Sequence, residues 1–515
     1  MLLGISRLEK SLIALSMLLG LLHVLSFGFC LQDDAYIGLR YSRNLSDGNG
    51  LVFNPNEHVE GYTNFSWIII STIPFLTGID EIIFLRVLSA LSAALAILMV
   101  GILANILARG RSGAAFFASF IFASLPFAMG EAAMGLETLF FTAVIIASLA
   151  RYFLENEDSC RKGYGSGLLL ALGALTRPET IGIAAFLAVI DLIKWRKNPK
   201  NAEFRNQLLS RWAVFAVPVF IHLAFRIFYY GDIVPNTFHA KVGGGLNAIR
   251  RGIRYTGIYI RDVAPLFVVL IGSFFTIAKK RNRFKADFQL KLSLVLVVCN
   301  IAYVIYVGGD FKPSNRFFVL MSAVITAVTG SLLSSAVQTM KKQKLVVWIV
   351  AVIMVASGNY LLGGAVRKYA RRRASVLPHH IVTGRWLLQN FPTDTWMATG
   401  NAGVLPYESG LLTIDMHGLC DKTIARRSIP GMGLATPGHE KGDGLYVLSR
   451  HPDIILFMKS RFSSHPLTTA EIQDELFGVS ELELWINPYF HENYTLVSVP
   501  IEDFYFNYFT KLQTE

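Results

Sequence analysis

The chain has 515 residues, of which 53% are hydrophobic and only 16% charged, and its formal net charge is +12. Soluble proteins have about a quarter of their residues charged, so this composition and the mean hydropathy of +0.45 exclude an ordinary soluble domain. Most basic residues lie in short clusters between long apolar blocks, a pattern that orients membrane proteins and argues against a nucleic-acid partner. Apolar blocks of about 18 or more residues predict a polytopic α-helical membrane protein that contacts membrane lipid.

The first predicted element is an apolar helix from Leu12 to Phe29, preceded by Arg7 and Lys10. Basic residues before a first span predict a cytoplasmic N-terminus and place the following loop outside. A signal peptide is the alternative interpretation. The apolar run is long and no A-x-A-like cleavage site precedes the acidic stretch, so we expect a retained first helix.

The first external loop, 31–66, opens with two adjacent carboxylates, Asp33 and Asp34. Acids next to a bilayer are costly to keep there and are candidate functional residues by default. Such an acid could act as a general base toward a sugar hydroxyl, and we expect burial to raise its pKa toward a useful value. The alternative is that the doublet caps the next helix, and the doublet alone leaves both interpretations open.

Further apolar spans alternate between loops that carry basic clusters and loops that carry acids. The basic loops all fall on one side, so independent clusters agree on a single topology with about 11 membrane segments. This number includes a short pair on either side of residues 176–180. The other expected spans are 82–107, 114–129, a return span ending near 152, 212–229, 264–277, 292–306, 317–335 and 346–362.

The short pair around Arg177 is too short on each side to cross about 30 Å of hydrocarbon comfortably. Pro178 biases Arg177 away from helix, so we expect a broken hairpin whose tip lies near the outer leaflet. Arg177 beside Glu179 could hold a phosphate in a bidentate manner. An intramembrane Arg–Glu pair is the alternative.

Two other external loops present cations. The motif PNTFHAK carries His239 and Lys241, which suit phosphate or saccharide contacts, although a lysine reaching along the interface is the simpler explanation. The loop 308–316 begins with two glycines that allow close approach of the backbone to a ligand, and it contains Asp310, Lys312 and Arg316. Asp310 could bind a sugar hydroxyl or a metal, and Arg316 a phosphate, whereas a tight turn topped by charges is the alternative.

From Arg367 onward charged residues, histidine, proline and glycine return, which predicts a small α/β domain outside the membrane. We therefore divide the chain into a membrane domain, 1–365, and an extracytoplasmic domain, 366–515. Strand-like runs are 395–398, 411–414, 454–456 and 495–499. The polar segments 415–421 and 438–441 match no standard metal-ligand spacing, so we favour polar loops on the acceptor side over a metal site.

The blocks DDAYIGLRYSRNLSDGNGLVFNPNEHVEGYTNFSW, LTRPE, PNTFHAK, YVGGDFKPSNRF and IDMHGLCDKTIAR, in this order, resemble the membrane glycosyltransferases of the GT-C class. They look most like the terminal β-arabinofuranosyltransferases of the mycobacterial cell wall and their bacterial relatives. The resemblance implies an inverting enzyme of the bacterial inner membrane. Such an enzyme takes a sugar from a polyprenyl-phosphate carrier at the outer face and passes it to a glycan, lipid or protein.

The same resemblance implies roles for individual residues. One of Asp33 and Asp34 would be the base, and the other would orient the acceptor or support the fold. No metal and no cofactor is expected, although a divalent metal is possible. A transporter or flippase for a lipid-linked sugar is the alternative function. The donor-phosphate candidates are Arg177, Lys241, Arg316 and His239, and the sugar or acceptor candidates are Glu60, Tyr62, Asn64, Glu179 and Asp310.

Overall fold

The computed structural model describes residues 5–28, 30–158, 162–280, 287–312, 314–338 and 363–512, together with Ile349. A helical membrane domain comes first and a region containing a β-sheet follows it. The helices of the first part are α1 (Arg7–Ser26), α2 (Asp33–Ser46), α3 (Phe65–Ile70), α4 (Ile73–Thr77), α5 (Glu81–Leu107), α6 (Ala114–Ala123), α7 (Pro126–Ala133), α8 (Thr138–Glu157), α9 (Tyr164–Thr176), α10 (Thr180–Lys197), α11 (Ala202–Tyr230), α12 (Asn236–Lys241), α13 (Gly245–Asp262), α14 (Ala264–Lys280), α15 (Phe288–Val307) and α16 (Val319–Val337).

Among the described residues, 6 helices are long and apolar enough to cross a membrane: α1, α5, α8, α11, α15 and the stretch Arg316–Val337. Two bent pairs, α6 with α7 and α13 with α14, raise the number to 8 if each pair is one span. A multi-pass helical membrane protein is therefore confirmed. The exact number of segments stays a prediction, because the expected span 346–362 falls outside the described residues apart from Ile349.

Prolines determine where two of the apolar segments break. The segment expected as one span over 114–129 is two helices, with a bend of 62° between α6 and α7. Pro126 is the first residue of α7, so Leu125 before it is extended, at φ −81° and ψ 107°. Pro178 has the same effect on Arg177, which ends α9 at φ −151° and ψ 130°. The expected break at Arg177 is thus where the structure has it.

A buried group of charges joins α8, α10 and α11. Arg211 of α11 bonds Asp191 of α10 at 2.6 Å and Glu155 of α8 at 3.3 Å. All three side chains are fully buried. We call Arg211, Asp191 and Glu155 the inner charge cluster. It holds the short helix α9 in place, because Ser166 of α9 accepts a hydrogen bond from Arg211 at 2.8 Å.

The C-terminal region, 363–512, contains a six-stranded mixed sheet with the order β2-β1-β3-β6-β4, and β5 pairs with β6 outside this path. β1 is parallel to β2 and β3, whereas β6 is antiparallel to its partners. Its helices are α17 (Gly363–Asn390), α18 (Val404–Ser409), α19 (Lys422–Arg426), α20 (Gly444–Ser449), α21 (Thr469–Asp474), α22 (Gly478–Trp485) and α23 (Pro488–Asn493), and its strands are β1 (Trp396–Thr399), β2 (Leu412–Asp415), β3 (Ile454–Leu456), β4 (Phe462–Ser463), β5 (Tyr494–Ile501) and β6 (Phe504–Lys511).

Helix α2 and the loop that follows it anchor this region to the helical part of the chain. Buried Arg40 of α2 donates hydrogen bonds to the carbonyls of Phe53, at 2.7 Å, and Leu411, at 2.8 Å. It also bonds Asn54 and the carbonyl of Pro406. An arginine that makes four hydrogen bonds to protein oxygens is costly to remove, because the oxygens would be left buried without partners. These hydrogen bonds hold the C-terminal region against α2.

Candidate active site

Charged side chains from three separate segments meet at the start of α2. The Asp34 carboxylate accepts a hydrogen bond from Lys312 Nζ at 2.7 Å and lies 3.7 Å from Arg316 Nη1. Arg316 also pairs with Asp310. The Lys312 side chain is 1% exposed and that of Asp34 is 43% exposed, so the carboxylate faces open space while its partner is buried. We call Asp34, Lys241, Asp310, Lys312 and Arg316 the open charge cluster.

The loop that carries Asp310, Lys312 and Arg316 depends on close packing of its glycines. Gly309 has φ +69°, and a Cβ there would lie 2.5 Å from Tyr255 of α13. No other residue type fits both this backbone conformation and this space. Arg251 of α13 donates to the carbonyl of Gly308 at 3.0 Å and holds the turn from the other side.

Lys241 completes the cluster without making a bond of its own. Its side chain is exposed, and it forms no hydrogen bond or ion pair with any described residue. Although Lys241 reaches solvent, partial desolvation by the surrounding side chains lowers its pKa. The charge of Arg316 lowers the pKa further, and Asp34 and Asp310 oppose the shift. A cation held next to other cations is a place where an anion is stabilised.

The pKa of Asp34 shifts in the direction opposite to the one expected from its burial alone. Burial does raise this pKa, but the charges of Lys312, Arg316 and Lys241 outweigh it and hold the pKa far below its usual range. The expectation of a raised pKa was therefore wrong for the site without ligand. Its physical reason is that three cations surround one carboxylate.

Asp33 points away from the cluster and has a different partner. Its carboxylate accepts hydrogen bonds from the backbone N–H groups of Gly403, at 3.2 Å, and Val404, at 3.0 Å. These groups begin α18 in the C-terminal region, so Asp33 caps a helix that lies 370 residues away in the sequence. The capping interpretation thus describes Asp33, but the capped helix is α18 and not α2.

Arg177 lies in a buried set of ion pairs beside the open charge cluster. It contacts Glu137 at 2.7 Å and Glu179 at 3.2 Å, and Asn64 donates to Glu137 at 2.9 Å. The charges of Arg177 and Arg316 act on each other, so the two groups are neighbours. The structure thus shows the Arg–Glu pair that was the alternative for Arg177, with Glu137 as an additional partner.

The remaining predicted residues form two further groups. Glu60 pairs with Arg226 of α11 at 2.6 Å, and burial raises the pKa of Glu60 although Arg226 opposes the shift. The hydroxyl of Tyr62 lies 3.0 Å from that of Tyr230. His239 pairs with Asp232 at 3.0 Å. It does not join Lys241, because residues two apart on a helix face different directions.

Lys312 and Glu131 are two important residues to which the sequence patterns assign no role. Lys312 donates the 2.7 Å hydrogen bond to Asp34. Glu131 of α7 is fully buried, accepts a hydrogen bond from Thr138 at 3.2 Å, and acts electrostatically on Arg316. The excess of cations in an external loop was the signal that could have identified Lys312.

Among the described residues, no three or more His, Cys, Asp or Glu side chains meet in a group that could hold a metal ion. The expected absence of a metal stays a prediction. The cluster itself offers one carboxylate that faces open space and several cations around it, which is an arrangement that can accept a proton and stabilise a phosphate.

Comparison with known proteins gives relatives for a large part of the chain. Residues 368–510 match the family model "Domain of unknown function (DUF8728)". The terminal β-(1→2)-arabinofuranosyltransferase of Mycobacterium tuberculosis is 28% identical over 271 residues, 49% of this chain and 42% of that protein. The protein of the same name from Corynebacterium glutamicum is 26% identical over 346 residues, 58% and 47% of the two chains. The chain thus spans less than half the length of either relative.

Solved structures share the fold. ArnT from Cupriavidus metallidurans bound to undecaprenyl phosphate has a TM-score of 0.53 at 11% identity, over 78% of this chain and 85% of that one. The Archaeoglobus fulgidus oligosaccharyltransferase has a TM-score of 0.50 at 13% identity, over 78% and 62%. These likenesses confirm the GT-C type of helical fold that the resemblance implied. In sequence the chain is similar to terminal β-(1→2)-arabinofuranosyltransferases, and in fold to ArnT and the oligosaccharyltransferase.

Proposed function

We propose that the protein is a glycosyltransferase that moves a sugar from a polyprenyl-phosphate donor to a cell-envelope acceptor. The observation that carries this is the open charge cluster, in which a carboxylate faces open space among three cations. One of these cations, Lys241, has no partner among the described residues. The names of the two relatives and the undecaprenyl phosphate in the ArnT title support the same chemistry. We place the reaction at the outer face of the bacterial inner membrane, with the N-terminus cytoplasmic and the C-terminal domain outside.

Lys241, Lys312 and Arg316 are proposed to hold the donor phosphate. Cations fixed around the position where negative charge develops stabilise the leaving group, and this electrostatic effect is usually the largest in such reactions. Lys241 is free to bind at once. Arg177 is already paired with two carboxylates, so we assign it to holding Glu137 and Glu179 in place and not to the phosphate.

Asp34 is the proposed general base. It takes the proton of the acceptor hydroxyl while the oxygen forms a bond to the anomeric carbon of the sugar. The bond from that carbon to the phosphate oxygen breaks, and its electron pair leaves with the polyprenyl phosphate. Before the donor binds, Lys312 bonds Asp34 and weakens it as a base. A bound phosphate attracts Lys312 and neutralises the cations, so the pKa of Asp34 rises only when the donor is present.

The other candidates take supporting positions in this proposal. Asp33 anchors the C-terminal region through α18. Asp310 forms an ion pair with Arg316, and Asn64 donates a hydrogen bond to Glu137. Glu60 and Tyr62 remain candidates for the wall of the donor-sugar pocket, beside α11. His239, paired with Asp232, borders the site at the edge of α12.

The test is sugar transfer by the purified protein in lipid nanodiscs, with a panel of polyprenyl-phosphate sugars and envelope glycans. A product that requires Asp34 supports the proposal, and its anomeric configuration is then determined by NMR. A direct displacement with Asp34 as base gives inversion, whereas retention would make Asp34 a nucleophile. Movement of the lipid-linked sugar across the bilayer without any product would instead favour the transporter, for which the relatives and the fold give no support.

A further inference from the structure

Four aromatic side chains lie together where the loop 308–316 meets the C-terminal region. The ring of Phe311 is 5.3 Å from that of His439, at an interplanar angle of 87°. His439 is 4.8 Å from His417, and both histidines are 6.1 Å from Phe477. We call Phe311, His417, His439 and Phe477 the aromatic cluster. Its members come from four separate segments of the chain, so the fold itself assembles it.

The aromatic cluster adjoins the open charge cluster. Phe311 precedes Lys312, whose Nζ lies 5.8 Å from the centre of the Phe311 ring. A Cβ on Gly438, next to His439, would lie 3.6 Å from a side-chain carbon of Lys241. The charges of Asp34 and Lys241 act on His439. The aromatic cluster therefore borders the proposed catalytic carboxylate on the side of the C-terminal region, away from the membrane spans.

Two members of the aromatic cluster are available to a ligand. Phe311 is 44% exposed, although the neighbouring Lys312 is almost fully buried. His439 is half-buried, with Nδ1 3.3 Å from the carbonyl of Pro437. If Nδ1 carries the proton, Nε2 is left as an acceptor, and it makes no hydrogen bond with the described residues.

The histidines are neutral at physiological pH. Burial lowers the pKa of His439. Burial and the neighbouring His439 lower the pKa of His417 to about 3, so the ring beneath His439 acts as an uncharged support. The surface offered to a ligand is therefore one exposed aromatic face and one neutral hydrogen-bond acceptor. This combination suits a ligand with both C–H faces and hydroxyl groups, and it gives no attraction for an anion.

We propose that Phe311 and His439 form the subsite that binds the acceptor sugar. A sugar ring would place its C–H face on Phe311 and donate a hydroxyl hydrogen to Nε2 of His439, next to Asp34. The inference rests on the proposed function and names two residues that would position the acceptor in the same site. The donor lipid reaches the site from the membrane spans, which leaves the side of the C-terminal region for a glycan from the aqueous phase.

Transfer kinetics test the subsite. We expect Phe311→Ala and His439→Phe each to raise the acceptor KM about tenfold, the loss of one aromatic contact or hydrogen bond, with the donor KM unchanged. His439→Phe keeps the ring and removes the acceptor nitrogen. Phe311→Trp keeps an aromatic face and should leave the acceptor KM near that of the wild type. Tyr489→Ala is the control, since Tyr489 is an exposed aromatic of the same region on α23. Unchanged acceptor KM in both Phe311→Ala and His439→Phe would overturn the proposal.

A binding experiment separates this inference from the proposed function. Asp34→Asn protein is titrated with synthetic arabinofuranosyl and mannosyl oligosaccharides, and saturation-transfer NMR detects binding. Binding that Phe311→Ala abolishes and Tyr489→Ala leaves intact supports the subsite even if no transfer is ever observed. Absence of binding by every oligosaccharide, or transfer to a lipid hydroxyl alone, contradicts a carbohydrate subsite.

Discussion

The open charge cluster and the inner charge cluster are built from the same kinds of residues, yet they differ in how completely their charges are matched. In the inner cluster both carboxylate oxygens of Asp191 accept hydrogen bonds, from Tyr152 at 2.7 Å and from Arg211 and Trp212. Its three charged side chains are fully buried. In the open cluster Asp34 is 43% exposed, and Lys241 has no partner among the described residues.

This difference separates charges that stabilise the fold from charges that can bind a ligand. A closed network leaves no donor or acceptor for a ligand, and its role is to hold α8, α9, α10 and α11 together. An open network has charge left over, which a ligand of opposite sign can satisfy. Arg177 resembles the inner cluster in this respect, because its guanidinium is already matched by Glu137 and Glu179.

The largest expected effect is that of Asp34→Asn. Turnover should fall by about 10²–10⁴, the usual contribution of a general base. Binding of the donor should not weaken, because Lys312 loses a competing partner. Asp33→Asn is the matched control at the neighbouring position. It should cost about 1 kcal/mol of stability through the weakened cap of α18 and leave turnover per folded molecule nearly unchanged. The opposite result for the two variants would exchange their roles.

Arg211→Met tests whether the inner charge cluster stabilises the fold. Removing one partner of a buried ion pair leaves uncompensated charges, so the free energy of unfolding should fall by about 3–5 kcal/mol. Thermal unfolding in detergent measures this loss. The donor KM of the molecules that remain folded should match wild type. A variant with wild-type stability and a weakened donor KM would show that this cluster is also a ligand site.

Lys241→Gln should weaken donor binding and leave stability unchanged, the reverse of the effect expected for Arg211→Met. Its donor KM should rise about tenfold or more, because a hydrogen bond to a charged group contributes about 1.5–3 kcal/mol. Stability should not fall, since Lys241 makes no bond among the described residues. Lys197→Gln, at the exposed end of α10, is the control and should change neither quantity. Loss of stability in Lys241→Gln would place Lys241 with the structural charges.

The pH dependence gives the smallest but most specific effect. Burial raises the pKa of Asp34, but Lys312, Arg316 and Lys241 lower it far more. Asp34 in the free protein therefore stays ionised as pH falls below the unfolded value of about 3.9. Its contribution to stability is fully present above that value and is lost only as pH falls toward the folded pKa.

A bound phosphate should change this titration. With the cations neutralised, the pKa of Asp34 rises, so kcat should fall on acidification at a higher pH than kcat/KM does. Profiles of both quantities between about pH 4 and 8 measure the separation. If kcat and kcat/KM fell at the same acidic pH, the bound donor would not neutralise the cations around Asp34.

Local sequence patterns predicted the features that depend on neighbouring residues. Pro178 marked the break between α9 and α10, and strand-like runs marked four of the six described strands. The choice between Asp33 and Asp34 could not be made this way. It depends on partners far along the chain, Val404 for one and Lys312 for the other. The expected direction of the Asp34 pKa shift was wrong for the same reason. The expectation considered only burial beside the membrane, whereas the three cations that lower the pKa come from distant parts of the chain.

The most direct test of the account is an experimental structure with undecaprenyl phosphate bound. We predict that the phosphate lies within hydrogen-bonding distance of Lys241, Lys312 and Arg316, with Lys312 drawn away from Asp34. A phosphate held by Arg177, or one more distant from Asp34 than a sugar ring can bridge, would contradict the assignment of the open charge cluster as the site.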